Sequence, residues 1–209
     1  MLVTADISQP LDGLPQKLWQ QYSNTSLPFV ALAYQPARTA ASPVWAGPLT
    51  TNLAPAIADS PARRALAKQL MGGLSAVWLL IESGDKSADD AAASMLATEL
   101  KTMEKELELP PPARDDPKMR ARIPLKIAFA IQRVSRADPA EAAFIAQLLA
   151  GENQTNQPPI PIACPVFGRG RALATLSGSE LSSDVIESAS RFLIGACSCE
   201  VKELNPGKD

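Results

Sequence analysis

SAVWLLIESGDKSADDAAASMLATELKTMEKELEL (Ser75–Leu109) decides the fold. It opens on AVWLLI, an unbroken apolar run closed by the turn residues of ESGD. Alternation would mark a sheet with one wet face; a continuous run marks a central strand covered on both faces. The residues that follow change period. Ala92, Leu96, Leu100, Met103 and Leu107 fall on one helical stripe. Acidic residues near the start of that stripe suit the positive end of a helix dipole. Ser87 is the expected cap, with Gly84 making the turn. A strand that feeds a long helix implies a parallel neighbour, because a helical crossover returns the chain in the same direction. IPLKIAFAIQRVS (Ile123–Ser135) supplies that neighbour.

Beyond it, DPAEAAFIAQLLAG (Asp138–Gly151) is punctuated as a helix. Asp138 caps it, Pro139 opens it, Glu141 completes a capping-box-like pattern and Gly151 ends it. IPIACPVFGRGRALATLSG (Ile160–Gly178) reads as two strands around a tight Gly168-Arg169-Gly170 turn, where glycine permits positive φ. A last helix, SSDVIESASRFLIG (Ser182–Gly195), places Val185, Ile186, Ala189, Phe192 and Leu193 inward. Upstream, LVTADIS (Leu2–Ser8) reads as a short strand and GLPQKLWQQYSN as a helix with Leu14, Leu18 and Tyr22 on one face. SLPFVALAYQ (Ser26–Gln35) reads as a buried strand, and PVWAGPLT (Pro43–Thr50) as a second strand that ends at Gly47. In DSPARRALAKQLMGG (Asp59–Gly73) Ser60 caps a helix, Pro61 sits at its first position and Gly72-Gly73 end it. Its Leu66, Leu70 and Met71 are expected inside. Trp19, Trp45 and Trp78 are expected to fill the core.

From Ala76 the order is therefore β-α-β-α-β-β-α, an α/β arrangement with a mixed sheet and helices on both faces. This resembles the thioredoxin fold, in which a proline precedes a strand, a turn and a second strand, as in PIPIACPVFGRGRALATLSG. Residues 1–75 resemble the second half of such a unit and residues 76–209 a complete one, a partial tandem in which Pro28 corresponds to Pro161 and Gly47 to Gly178. The resemblance implies a Cys-x-x-Cys where the first strand meets its helix, because the helix N-terminus lowers the thiol pKa there. Ser83, Gly84, Asp85 and Lys86 occupy that place, so the dithiol is missing. A P-loop is excluded there as well, since SGDKS lacks the first glycine of that motif. PVFGRGRAL and CSCEVKELNPG also resemble signatures of a bacterial family of unassigned activity, some members of which look exported.

Composition narrows the chemistry. The 209 residues are 46% apolar and 20% charged, ordinary for a globular chain able to bury a core. The formal net charge of -2 recruits neither nucleic acid nor an anionic membrane surface. No apolar run reaches the length of a membrane span. MLVTADISQP lacks the features of a signal peptide, and an exported protein with its leader removed would read the same way. The chain has no histidine, which excludes Ser-His-Asp and Cys-His catalysis and every histidine metal site. No cofactor is implied.

The remaining candidates are few. Cys197 and Cys199 sit two residues apart near Lys202, a spacing that fits a buried segment end, a strained disulfide or a soft-metal or redox site. Cys164 lies inside an apolar strand and reads as core. Pro28 and Pro161 are candidate peptide-binding prolines, because a proline-led edge leaves backbone groups for pairing. Arg169 and Arg171 flank the hairpin turn and are candidate anion contacts. The carboxylate pairs Asp89-Asp90 and Asp115-Asp116 read as solvated surface. The function these features favour is a non-catalytic interaction or scaffold module with a protein or peptide partner. The alternative is an atypical thiol-redox or soft-metal protein using Cys197 and Cys199.

Overall fold

The computed structural model describes residues 3–32, 43–51, 53–109, 126–150 and 159–195. Residues 3–8 are irregular and not a strand. Asp6 Oδ1 accepts hydrogen bonds from the backbone and the hydroxyl of Ser8, and this local turn competes with extension. Helix α1 (Gly13–Tyr22) follows, and none of its residues is buried. It meets β1 (Phe29–Leu32) through the rings of Tyr22 and Phe29, 5.1 Å apart. β1 pairs antiparallel with β2 (Trp45–Pro48) in a separate two-stranded sheet. Both strands are only half-buried, so β1 is not the buried strand expected over Ser26–Gln35. Trp45 lies across the Cα of Gly47 within this hairpin, and Trp19 is half-exposed on α1. Of the three tryptophans, the core takes Trp78 alone.

Helix α2 (Leu53–Ala58) leads into α3 (Pro61–Met71). Ser60 Oγ caps α3 by accepting from the Arg63 amide at 3.2 Å, and Pro61 stands at the first helical position as expected. Leu66 is buried, but Met71 is 72% exposed. It lies one position beyond the inward stripe of Leu66 and Leu70, on the last turn before Gly72.

The main sheet has five strands. β3 (Ala76–Ile81) is central, and all six of its residues have no exposed surface. On one side it pairs parallel with β4 (Phe129–Val134), joined by the crossover helix α4 (Lys86–Glu106). On the other side it pairs antiparallel with β5 (Ile162–Phe167). β5 then pairs antiparallel with the short β6 (Arg171–Ala172) and β7 (Leu176–Ser177). The Gly168-Arg169-Gly170 turn forms as read, with φ of +60° at Gly168 and +96° at Gly170. Between β4 and β5 the chain passes through a 3-10 turn (Pro139–Glu141) and α5 (Ala142–Leu148). Helix α6 (Ser183–Ile194) ends the described chain.

The period of two along β3 divides the core. Val77, Leu79 and Ile81 pack with Ala62 and Leu66 of α3 and with Phe144, Ile145 and Leu148 of α5. Trp78 and Leu80 pack with Ala92, Leu96 and Leu100 of α4 and Ile186 of α6. The result is a three-layer α/β arrangement with helices on both faces of a mixed sheet. Asp138 caps the 3-10 turn by accepting from Ala140 N at 2.9 Å. Glu141 does not reach back to complete a local box. It is buried, and its Oε1 accepts from the Ala62 amide at 2.8 Å, so it caps α3 from a distant part of the chain.

Candidate functional site

Three chain segments leave or enter the sheet at one end. Glu82-Ser83-Gly84 follows β3, Ser135-Arg136 follows β4, and Ile160-Pro161 precedes β5. The carboxyl ends of parallel strands are where open α/β sheets bind ligands, because the loops diverge there and leave a crevice.

The strand–helix junction is closed by its own carboxylates. Asp85, and not Ser87, caps α4: its Oδ1 accepts from Ser87 N at 2.8 Å and from Ala88 N at 3.2 Å. Asp89 is 3% exposed, which corrects its reading as solvated surface. It accepts from Ser83 N at 2.7 Å, Ser83 Oγ at 2.8 Å and Gly84 N at 3.1 Å. Burial pushes the Asp89 carboxyl up. The hydrogen bonds from Ser83 and Gly84, helped by the charge of Arg133, outweigh it and hold the group below its ordinary value of 3.8. The signal was present in the sequence, since Asp89 continues the stripe of Ala92, Leu96, Leu100 and Met103 by three residues.

Gly84 makes this geometry possible with φ of +96° and open space where a Cβ would stand. Gly84→Ala is therefore a test of backbone strain alone. It is expected to cost about 1–2 kcal/mol in urea unfolding, with Gly84→Asn costing less because asparagine tolerates the left-handed region.

Charge around the junction is mostly paired. Arg133 bonds Glu82 and Asp90, and Lys86 bonds Asp90 one helical turn away. The two bonds to Arg133 and Lys86 hold Asp90 below its ordinary value. Arg136 differs. Its Nε donates to the Glu82 carbonyl at 2.9 Å and its Nη2 to the Ile160 carbonyl at 3.3 Å. It thereby ties the segment after β3 to the segment before β5. Burial lowers its pKa, and the nearby charge of Asp89 opposes that.

The residues singled out from sequence do not gather in one place. Pro161 lies at the carboxylate-lined end. Arg169 and Arg171 lie at the opposite end of β5, where Phe167 pairs with Ala76, about 17 Å away by strand rise. Arg169 is exposed at the turn. Pro28 is exposed and leads β1 in the two-stranded sheet, its carbonyl accepting from Leu49 N at 2.8 Å. The Leu27–Pro28 peptide is cis. Cys164 is buried on β5 as read. Cys197, Cys199, Lys202, Asp115 and Asp116 lie outside the described residues.

An open groove of about 380 Å³ lies elsewhere, between Glu106–Glu108 at the end of α4 and Arg191–Gly195 at the end of α6. It is separated from the junction by the length of α4, roughly 30 Å. It brings together none of the groups above. Among the described residues no cluster of metal-ligating side chains occurs, and no helix is long and apolar enough to cross a membrane. No protein-family model, curated protein or solved structure matches the chain.

Proposed function

We propose that the chain is a non-catalytic interaction module of thioredoxin-like topology that captures an extended protein or peptide segment. The observation that carries this reading is the state of the strand–helix junction. A thiol enzyme would need a cysteine beside free helix amides. Here the positions carry Ser83, Gly84, Asp85 and Lys86, and the amides of Ser83, Gly84, Ser87 and Ala88 are taken by Asp89 and Asp85. The site has exchanged a reactive group for an internal lock.

The thioredoxin-like part of the reading is supported by the strand order β4-β3-β5-β6, with β3 and β4 parallel and β5 antiparallel to its neighbours. The partial tandem is supported by a second proline-led antiparallel pair, β1–β2, which also precedes a helix. Capture through main-chain pairing is favoured at β1. Its outer edge pairs with no strand among the described residues, whereas β5 is paired on both sides from Ile162 onward. The Ile160-Pro161 segment remains as a loop contact.

The test combines a thiol–disulfide exchange assay with capture on an array of extended peptides. Peptide binding without turnover is the expected outcome. Turnover that disappears when Cys197 and Cys199 are both replaced by serine, with no peptide retained, would install the thiol reading in its place.

A further inference from the structure

Among the described residues, Arg136 is a half-buried cation with no carboxylate in direct hydrogen-bond or ion-pair contact. Arg64, Arg133 and Arg191 each hold at least one. Guanidinium stays charged at every working pH, so a half-buried one without an ion pair is costly unless something completes it. The two carbonyls of Glu82 and Ile160 fix its orientation through Nε and one N–H of Nη2. The group has five N–H donors, so three remain, spread over Nη1 and Nη2 as the end-on fork that matches a planar oxyanion.

We propose that this fork is a carboxylate receptor, and that the carboxylate belongs to a bound peptide. The assignment rests on the interaction-module reading for its ligand and on the geometry of Arg136 for its place. A carboxylate is favoured over phosphate by charge. Glu82 and Asp90 already neutralise Arg133 and Lys86, and Asp89 lies within electrostatic reach of Arg136. The ionised Asp89 offsets part of the Arg136 charge, so the site tolerates a monoanion better than a dianion. A peptide is favoured over a small acid by the neighbouring surface. Ile160, whose carbonyl holds Arg136, exposes 47% of its surface next to Pro161. An anion site rimmed by an exposed apolar residue fits a chain end or an acidic side chain followed by apolar residues.

The experiment follows the isotope-labelled Nε–H signal of Arg136 in the intact protein, assigned by its loss in Arg136→Lys. The probes are acetate, inorganic phosphate, an acetylated Gly-Ser-Ala-Leu peptide as free acid and as terminal amide, and an acetylated Ala-Glu-Ala amide. The expected result is a saturable shift with acetate and with the free acid, and affinity for the acid about tenfold above that for its amide. A shift with the glutamate peptide instead assigns the carboxylate to a side chain. Acid and amide binding alike would overturn the assignment and leave the module standing. Acetate moving the signal with no peptide bound would keep the receptor and overturn the module. Phosphate moving it while acetate does not would overturn the choice of ligand, and silence with every probe would remove the site.

Discussion

Trp78→Ala is expected to cost about 3–5 kcal/mol, a large share of the roughly 5–15 kcal/mol that holds a domain folded. Trp78 stands in the middle of the central strand with no exposed surface, between Ile131 on β4 and Pro165 on β5. It belongs to the apolar layer that joins the sheet to α4 and α6. Truncation leaves a cavity that neither helix can close without leaving its own contacts. The indole Nε1 is buried with no hydrogen-bond partner. Trp78→Phe removes that unpartnered donor together with part of the volume, so it is expected to cost less than half as much as the alanine variant. Trp19→Ala is the contrast: α1 buries none of its residues, and the change is expected to stay near the roughly 0.5 kcal/mol of a surface substitution. Urea unfolding followed by circular dichroism reads all three. A Trp78→Ala variant within about 1 kcal/mol of the parent would mean that the layer between sheet and helices is not close-packed.

The contrast between the two tryptophans shows what a sequence pattern reveals. Ala76–Ile81 announces a doubly covered strand because no polar residue interrupts it and turn residues bound it at strand length. Ser60-Pro61 and Gly72 punctuate α3 through local hydrogen bonding, so its limits are legible within a few residues. Gly168 and Gly170 fix the hairpin for the same reason. What escapes is what depends on a distant partner. Glu141 looks like a local capping residue, yet it serves Ala62, 79 positions away. Ser190 looks like a surface serine on α6, yet it has no exposed surface. It stands four residues after Ile186 and three before Leu193, on the buried stripe. The spacing of both Ser190 and Asp89 from the buried residues of their helices puts them on the inward stripe, whereas their residue type favours the surface. At each, position along the helix outweighed polarity. Arg136 was unreadable, because its role comes from three loops that meet only once the sheet has formed.

Asp89 gives the second large effect, and it carries a pH signature. Asp89→Ala is expected to cost about 2–3 kcal/mol near neutral pH, since it leaves the Ser83 and Gly84 amides without the carboxylate that accepts both. Asp89→Asn is expected to cost less than alanine, because it retains one acceptor oxygen; its remaining cost arises because its amide nitrogen cannot accept from Gly84. The folded protein holds the Asp89 carboxyl below 3.8, while the unfolded chain titrates near that ordinary value. On acidification the unfolded state therefore takes up this proton first. The stability contributed by the ionised carboxylate is fully present above the unfolded value. It declines as pH falls through 3.8 toward the lower folded value, and it is absent below both. Asp6 and Asp90 are depressed as well, so the parent alone would not isolate Asp89. The gap between parent and Asp89→Asn does, because the other groups titrate in both proteins. Urea midpoints measured from neutral pH into the acid limb are expected to show that gap constant above the carboxylate range and narrowing below it. A gap that stays constant to the lowest pH would assign the loss to packing and not to charge. The lock on the strand–helix junction would then rest on the shape and acceptor geometry of the aspartate and not on its ionisation.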